Sequence, residues 1–294
     1  MAGRENIAPT ALHQLRMNDV KCLIVDITKC IGCYNCQLAC KDEHVGNDWT
    51  PYARPQPEGH FWMKVAEIER GTVPKVKVDW IPKMCMHCED ASCSSACPNG
   101  AITRRDDGIV IIAPGKCRGS KKCIHACPYD VIYFNAGLGI AQKCTMCAHL
   151  LDRGWKEPRC VTACPANALI FGERADMKDL IASAAPLPLG DKAMPVPKVG
   201  VYYIGVPGKF IAGAVYSPTE DKCLNGAEVT LTDAATGAVF STRTDNYGDF
   251  WLEGLSVGTY SLTIQKEGYY PRVIPSISTK IDVNIGDVEL LKKV

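Results

Sequence analysis

Four thiols, Cys30, Cys33, Cys36 and Cys40, fall within eleven residues of this chain, in CIGCYNCQLACKDEH. Three more runs follow: Cys85, Cys88, Cys93 and Cys97 in CMHCEDASCSSACP; Cys117, Cys123 and Cys127 in CRGSKKCIHACP; and Cys144, Cys147, Cys160 and Cys164 in CTMCAHLLDRGWKEPRCVTACP. Sixteen of the 17 cysteines in the 294 residues lie between Cys22 and Cys164. Thiols this dense have three chemical uses: disulfides, zinc and iron–sulfur clusters. Disulfides belong to oxidising compartments and small secreted chains, and residues 1–21 lack the apolar stretch of a signal peptide. Thiols two or three residues apart also fit disulfide geometry badly. Zinc stays open for any isolated C-x2-C, although structural zinc sites usually combine two short knuckles across a longer loop.

Every run ends in C-x3-C, and three of the four end in C-x3-C-P. Three cysteines at two-residue intervals followed by C-x3-C-P is the spacing of bacterial ferredoxins. The spacing has a physical reason. A cubane cluster offers iron at alternate corners, so three thiolates on one tight loop reach three irons while main-chain N–H groups point at the sulfides. The fourth cysteine sits on the following helical turn, faces away and ligates the partner cluster. Proline then prevents the helix from continuing.

Such runs work in pairs, and strands must hold each pair. AITRR and GIVIIA read as a hairpin about Asp106-Asp107-Gly108, joining the second and third runs into an inner unit at about 82–130. The outer unit joins the first and fourth runs, from residues 22–40 and 144–172, with CLIVDITK and ALIFGE as its strands. Here the chain resembles the four-cluster electron-transfer subunits of molybdopterin oxidoreductases, through LIVDITKCIGCYNCQLACK and QKCTMCAHLLDRGWKEPRCVTACPANAL. Over its length it is most similar to the branch acting on phenolic rings, the pyrogallol–phloroglucinol transhydroxylase and resorcinol hydroxylase-like enzymes. The resemblance implies that Cys30, Cys33 and Cys36 share a cluster with Cys164, and that Cys144, Cys147 and Cys160 share one with Cys40. It further implies that Cys85, Cys88 and Cys93 pair with Cys127, and Cys117 and Cys123 with Cys97. Ser120 stands where the family has a further cysteine. The expected cofactors are therefore three [4Fe-4S] clusters and a fourth that is either [3Fe-4S] or a [4Fe-4S] completed by Ser120 or water. Cys22 reads as a buried inert thiol and Cys223 as packing or surface.

Residues 41–84 are rich in aromatics, proline and charge, with HFWMKVAEIER alternating as a strand. His44, Trp49, His60, Phe61 and Trp62 are candidate partner contacts, each also readable as satellite core. His87, His125 and His149 lie inside cysteine loops, where they could donate hydrogen bonds near a cluster or simply pack. The pairs Lys121-Lys122 and Arg104-Arg105 could offset cluster charge or be ordinary surface. RADMKDLIASAA reads as a short helix, PLPLGDKAMPVPK as a linker or arm, and KVGVYYI as a strand. From about Phe210, short alternating strands with Gly-marked turns read as a β-sandwich similar to transthyretin-like modules.

The expected fold is α+β: tandem bacterial-ferredoxin-like units with inserted segments over 1–185, a proline-rich arm over 186–208, and an all-β transthyretin/immunoglobulin-like sandwich over 209–294. The 32 acidic and 33 basic residues balance to +1, which indicates neither a nucleic-acid surface nor an acidic tail. No segment offers the roughly 20 apolar residues of a membrane span. No catalytic residues stand out. The chain is expected to relay electrons for a separate large subunit carrying a Mo or W bis-pterin cofactor, as a heterodimer or a multiple of one, in the cytoplasm or co-exported to the periplasm. Phenol hydroxylation or transhydroxylation is the expected reaction. An arsenate, polysulfide or similar respiratory reductase is the alternative, and a stand-alone polyferredoxin or scaffold a second one.

Overall fold

The computed structural model describes residues 20–185, 187 and 199–293. It divides into two units, residues up to 67 with 80–206, and residues 68–79 with 207–294. Most of the proline-rich stretch expected as an arm lies outside the described residues.

The first unit hangs on a small sheet. Strand β1 (Lys21–Asp26) pairs antiparallel with β8 (Leu169–Glu173) and parallel with β9 (Val201–Ile204). Cys22, Leu23, Ile24 and Val25 of β1 are buried, because a central strand covered on both faces reads as a continuous apolar run. The sheet brings the residues before the first cysteine run beside those after the last. Residues 201–204 were expected within the arm; VYYI instead has the β-branched and aromatic character that completes this sheet, and Tyr203 is fully buried with its hydroxyl donating to the Pro82 carbonyl at 2.8 Å.

Between these strands the chain makes short pieces. Helix α1 (Asn35–His44) carries Cys36 and Cys40 of the first run, and the hairpin of β2 (Lys64–Thr72) and β3 (Lys75–Lys83) leads to the second. Short helices α2 (Ser92–Ser95), α3 (Lys122–Ala126) and α5 (Arg159–Thr162) carry Cys93, Cys123 and Cys160, and α4 (Ala148–Leu151) begins directly after Cys147. Strands β4 (Ile102–Arg104) and β5 (Val110–Ile112) form the expected Asp-Gly hairpin, and β6 (Tyr133–Asn135) pairs with β7 (Ile140–Gln142). Helix α6 (Lys178–Ala182) follows β8.

The second unit is a sandwich. One sheet holds β11 (Lys222–Cys223), β10 (Lys209–Ser217) and β14 (Asp249–Leu255), with β17 (Val283–Glu289) parallel to β10. The other runs β13 (Val239–Arg243), β12 (Glu228–Asp233), β15 (Thr259–Gln265), β16 (Arg272–Ser278). Alternation sends Val229 and Leu231, and Tyr260, Leu262 and Ile264, into one core with Ile211, Phe250 and Leu252. Residues 68–79, the outer part of the β2–β3 hairpin, group with this sandwich rather than with the cysteine-rich unit. The physical reason is charge: Arg70 bonds Asp79 at 2.6 Å, Asp282 at 2.8 Å and the Gly208 carbonyl at 2.9 Å, while Lys75 pairs with Asp249.

Asp282 is 6% exposed in its side chain and also accepts from the Phe210 N–H at 3.0 Å. Removing it leaves the buried Phe210 N–H without this acceptor and Arg70 with Asp79 as its remaining carboxylate partner, at about 3 kcal/mol. Asp282→Ala is therefore expected to lower amide-exchange protection in β10 and β17 by about that amount, read by hydrogen-exchange mass spectrometry on the full chain. Unchanged protection would show the pair to be idle.

Candidate metal centres

The cysteine runs fold by one local rule. Two residues after the first cysteine of each run, the backbone turns left-handed: Gly32 (φ 66°), His87 (φ 46°), Gly119 (φ 69°) and Met146 (φ 51°). That turn aims the main-chain N–H back at sulfur. The His87 N–H donates to Cys85 Sγ at 3.4 Å and the Met146 N–H to Cys144 Sγ at 3.3 Å. His87 and Met146 hold this conformation despite their Cβ atoms, a cost that non-glycine residues bear mainly at functional sites. A second left-handed residue follows the closing cysteine by three positions, at Gly100, Asp130 and Asn167. It turns the next N–H inward, so Ala101 donates to Cys97 Sγ at 3.4 Å and Ala168 to Cys164 Sγ at 3.3 Å. Gly32 has a further reason to lack a side chain, since a Cβ there would meet the Trp80 ring at 2.5 Å.

The thiols gather into four sets. Burial, and then Cys30, Cys164 and Cys33, push Cys36 up to about 12; these four make the first set. Cys40 and Cys160 are raised well above the usual thiol range by burial, then by Cys144 and Cys147, which makes the second. Cys88, pushed to about 12 by burial, is raised by Cys85, Cys93 and Cys127, the third. Burial and then Cys117 and Cys97 raise Cys123, the fourth. Neighbouring sets lie within electrostatic reach of one another: Cys160 feels Cys36, Cys144 feels Cys85, and Cys93 feels Cys123. The sets therefore form a row in the order first, second, third, fourth. Paired cysteines four residues apart on one helical turn, such as Cys36 and Cys40 of α1, rise about 6 Å and so serve adjacent sets.

No three His, Cys, Asp or Glu side chains among the described residues converge as ligands of one metal ion. A structural zinc would need four ligands at about 2.0–2.3 Å from a single centre. Thiols that stand apart around a space, with N–H groups aimed at the sulfurs, instead suit a multi-iron group in which each thiolate meets its own iron. Such a space is seen at the second set, where Cys40, Cys144, Cys147 and Cys160 line a cavity with His44, Met63 and His87. Binding there would displace the protons that burial holds on these thiols.

Ser120 is exposed in the loop before α3 and Cys22 is fully buried beside Met177. Cys223 is exposed on β11. Two of the residues expected to meet a partner do not reach the surface: His44 is 2% and Trp62 1% exposed. Their rings meet tilted at 43° with centres 4.6 Å apart, and His44 lines the second set's cavity. Trp49 stacks on His149 at 4.4 Å, and His149 Nε2 lies 3.0 Å from Glu43. His44 Nε2 lies 4.0 Å from Cys147 Sγ. His125 is exposed. Of the basic pairs, Arg105 is tied to Asp107 and Asp152, and Lys121 lies over the Phe134 ring at 4.1 Å. Sequence reasoning missed Lys143, a buried lysine next to Cys144; a single basic residue beside a motif carries no signal of its burial.

Residues 29–101 and 76–174 each match the family described as a 4Fe-4S dicluster domain, and residues 211–290 match the carboxypeptidase regulatory-like domain. The chain thus joins tandem ferredoxin-like domains to an all-β domain. It is 35% identical over 258 residues to the pyrogallol hydroxytransferase small subunit of Pelobacter acidigallici, covering 84% of this chain and 90% of that one. It is 36% identical to a sulfite dehydrogenase subunit of Allochromatium vinosum, over 59% of this chain and 77% of that one. It is 31% identical to the arsenate respiratory reductase iron–sulfur subunit ArrB of a Shewanella strain, over 62% and 94%. With four thiol sets in a row and relatives of this kind over most of its length, the chain belongs to the iron–sulfur electron-transfer subunits of the molybdopterin oxidoreductases.

Proposed function

We propose that the four thiol sets hold four iron–sulfur clusters serving a large Mo- or W-pterin subunit that hydroxylates or transhydroxylates phenolic rings. The ligands are Cys30, Cys33, Cys36 and Cys164; Cys40, Cys144, Cys147 and Cys160; Cys85, Cys88, Cys93 and Cys127; and Cys97, Cys117 and Cys123. When bound, the clusters supply one-electron transfer. The protein's part is to bury the thiols, aim N–H groups at them and space the sets in a row. One observation carries the choice of branch. The 210 residues before the sandwich match are about 71% of the 294-residue chain, so an alignment over 84% of it must enter the sandwich. The sulfite and arsenate relatives, at 59% and 62%, do not require that.

No helix of the described residues is long and apolar enough to cross a membrane. The reading places a heterodimer, or a multiple of one, in the cytoplasm, where thiols stay reduced; cell fractionation separates this from co-export to the periplasm. Native co-purification is expected to recover a much larger pterin-containing partner. The purified complex should turn over pyrogallol- or resorcinol-type substrates. Arsenate or sulfite activity with no reaction on phenols would transfer the chain to the respiratory alternative, and recovery of the 32.0 kDa chain alone would end the relay reading.

Iron analysis of anaerobically prepared protein should give about 15 or 16 atoms per chain, with about 12 meaning an empty fourth set. Gly32→Ala puts a Cβ into the Trp80 ring on a left-handed residue, and is expected to remove the first set's share, about four irons. Full iron content in that variant would show that Trp80 yields and the turn is not required.

Ser120 makes the fourth set the odd one, because a serine hydroxyl is a reluctant ligand beside soft thiolates. The expected form is [3Fe-4S], with its nearly isotropic EPR signal when oxidised. Ser120→Cys should convert it to a cubane, silent in that state. An unchanged spectrum would place Ser120 outside the cluster's reach.

A further inference from the structure

The central junction of the row, between the second and third sets, holds a buried charge. Lys143 is 2% exposed. Its ammonium donates to the carbonyls of Val110 and, at 3.0 Å, Cys144. An ammonium has three protons to give, and among the described residues no carboxylate pairs with this one. A buried cation with only carbonyl partners is costly to hold unless an anion stands near. The acidic groups it faces are thiols. Cys144 of the second set adjoins it in the chain, and Cys93 of the third packs in one buried cluster with Val110, whose carbonyl Lys143 holds.

The neighbouring geometry is fixed by one residue. While the Val110 carbonyl accepts from Lys143, the Val110 N–H donates to His87 Nδ1 at 3.0 Å. The accepting Nδ1 leaves the His87 proton on Nε2. That Nε2 is buried, has no partner among the described residues, and His87 lines the cavity of the second set. Strand β5 thus presents a cation and an N–H donor together where two sets of thiols meet.

We infer that Lys143 is the shared counter-cation of the two central clusters and raises the reduction potential of both. The inference rests on the proposed reading of the thiol sets as cluster sites. Reduction adds negative charge at a site, and a fixed cation in a low-dielectric interior favours the more negative form. Net charge and hydrogen bonding are established levers on cluster potentials. The outer sets, which neither contact Lys143 nor share its junction, lack this stabilisation.

The test is an EPR-monitored redox titration of the anaerobically purified full chain in its native complex, after iron analysis. Wild-type protein without iron–sulfur clusters would defeat the underlying reading before the inference is reached. With clusters present, Lys143→Met should lower two of the midpoints, each by about tenfold in the one-electron equilibrium or about 59 mV, and leave the other two in place. Lys143→Gln keeps a donor for the carbonyls but not the charge, and should lower the same two; it carries the test if the Met variant does not fold. Lys143→Arg should hold wild-type values. Unmoved midpoints in the neutral variants, or a uniform shift of all four, would overturn the inference. So would loss of the central clusters from both neutral variants, which would make Lys143 a folding requirement instead.

Discussion

A thiol taken out of water resists ionisation, and this chain buries at least one motif thiol in each set. Each site must therefore receive positive charge with its thiolates, or the fold would enclose groups repelling one another. Much of the local structure answers that constraint. Left-handed residues at fixed offsets turn N–H dipoles toward sulfur, and Lys143 stands where the two deepest sets adjoin. The same demand explains why a unit with so many short elements is held by one three-stranded sheet, β8-β1-β9. The sheet closes the chain, and the sites bind what lies between.

The row of sets follows from a covalent fact. A C-x3-C step on a helical turn sends its two sulfurs to different sites, so α1 ties the first set to the second and α3 ties the fourth to the third. Between these pairs no helix makes the link. The junction is made by sequence-distant hydrogen bonds, with Val110 of β5 donating to His87 and accepting from Lys143. The middle of the row is thus its least locally determined step, and there the chain spends its most unusual residue.

This division explains what could be read in advance. The cysteine runs, the Asp-Gly hairpin and the β1 and β8 strands were legible because their signals are spacings within a few residues. The alternating strands of the sandwich were legible for the same reason. Lys143 was not, since burial of a single lysine depends on Val110, some thirty residues earlier. For His44 and Trp62 the sequence left partner contact and satellite core both open, because an aromatic carries the same sequence signal in either place, and burial decides for the core. Residues 201–204 went unrecognised as part of the first unit's sheet because their partner, β1, lies near the other end of the chain.

The sandwich shows the same principle at the scale of a domain. Its sequence signature begins near Phe210, yet its charge pairing does not. Asp282 faces Arg70, and Arg70 in turn holds Asp79 and the Gly208 carbonyl; Lys75, only 6% exposed, pairs with Asp249. A tail cut at residue 209 would keep Asp282 and Asp249 but lose Arg70 and Lys75, leaving Asp249 without its lysine and Asp282 with the more distant Lys209 and the Phe210 N–H. Residues 68–79 are therefore as much a part of the sandwich as its own strands. An all-β domain that draws its cations from a hairpin inside the cysteine-rich span cannot be a detachable appendage, whatever its strand pattern suggests.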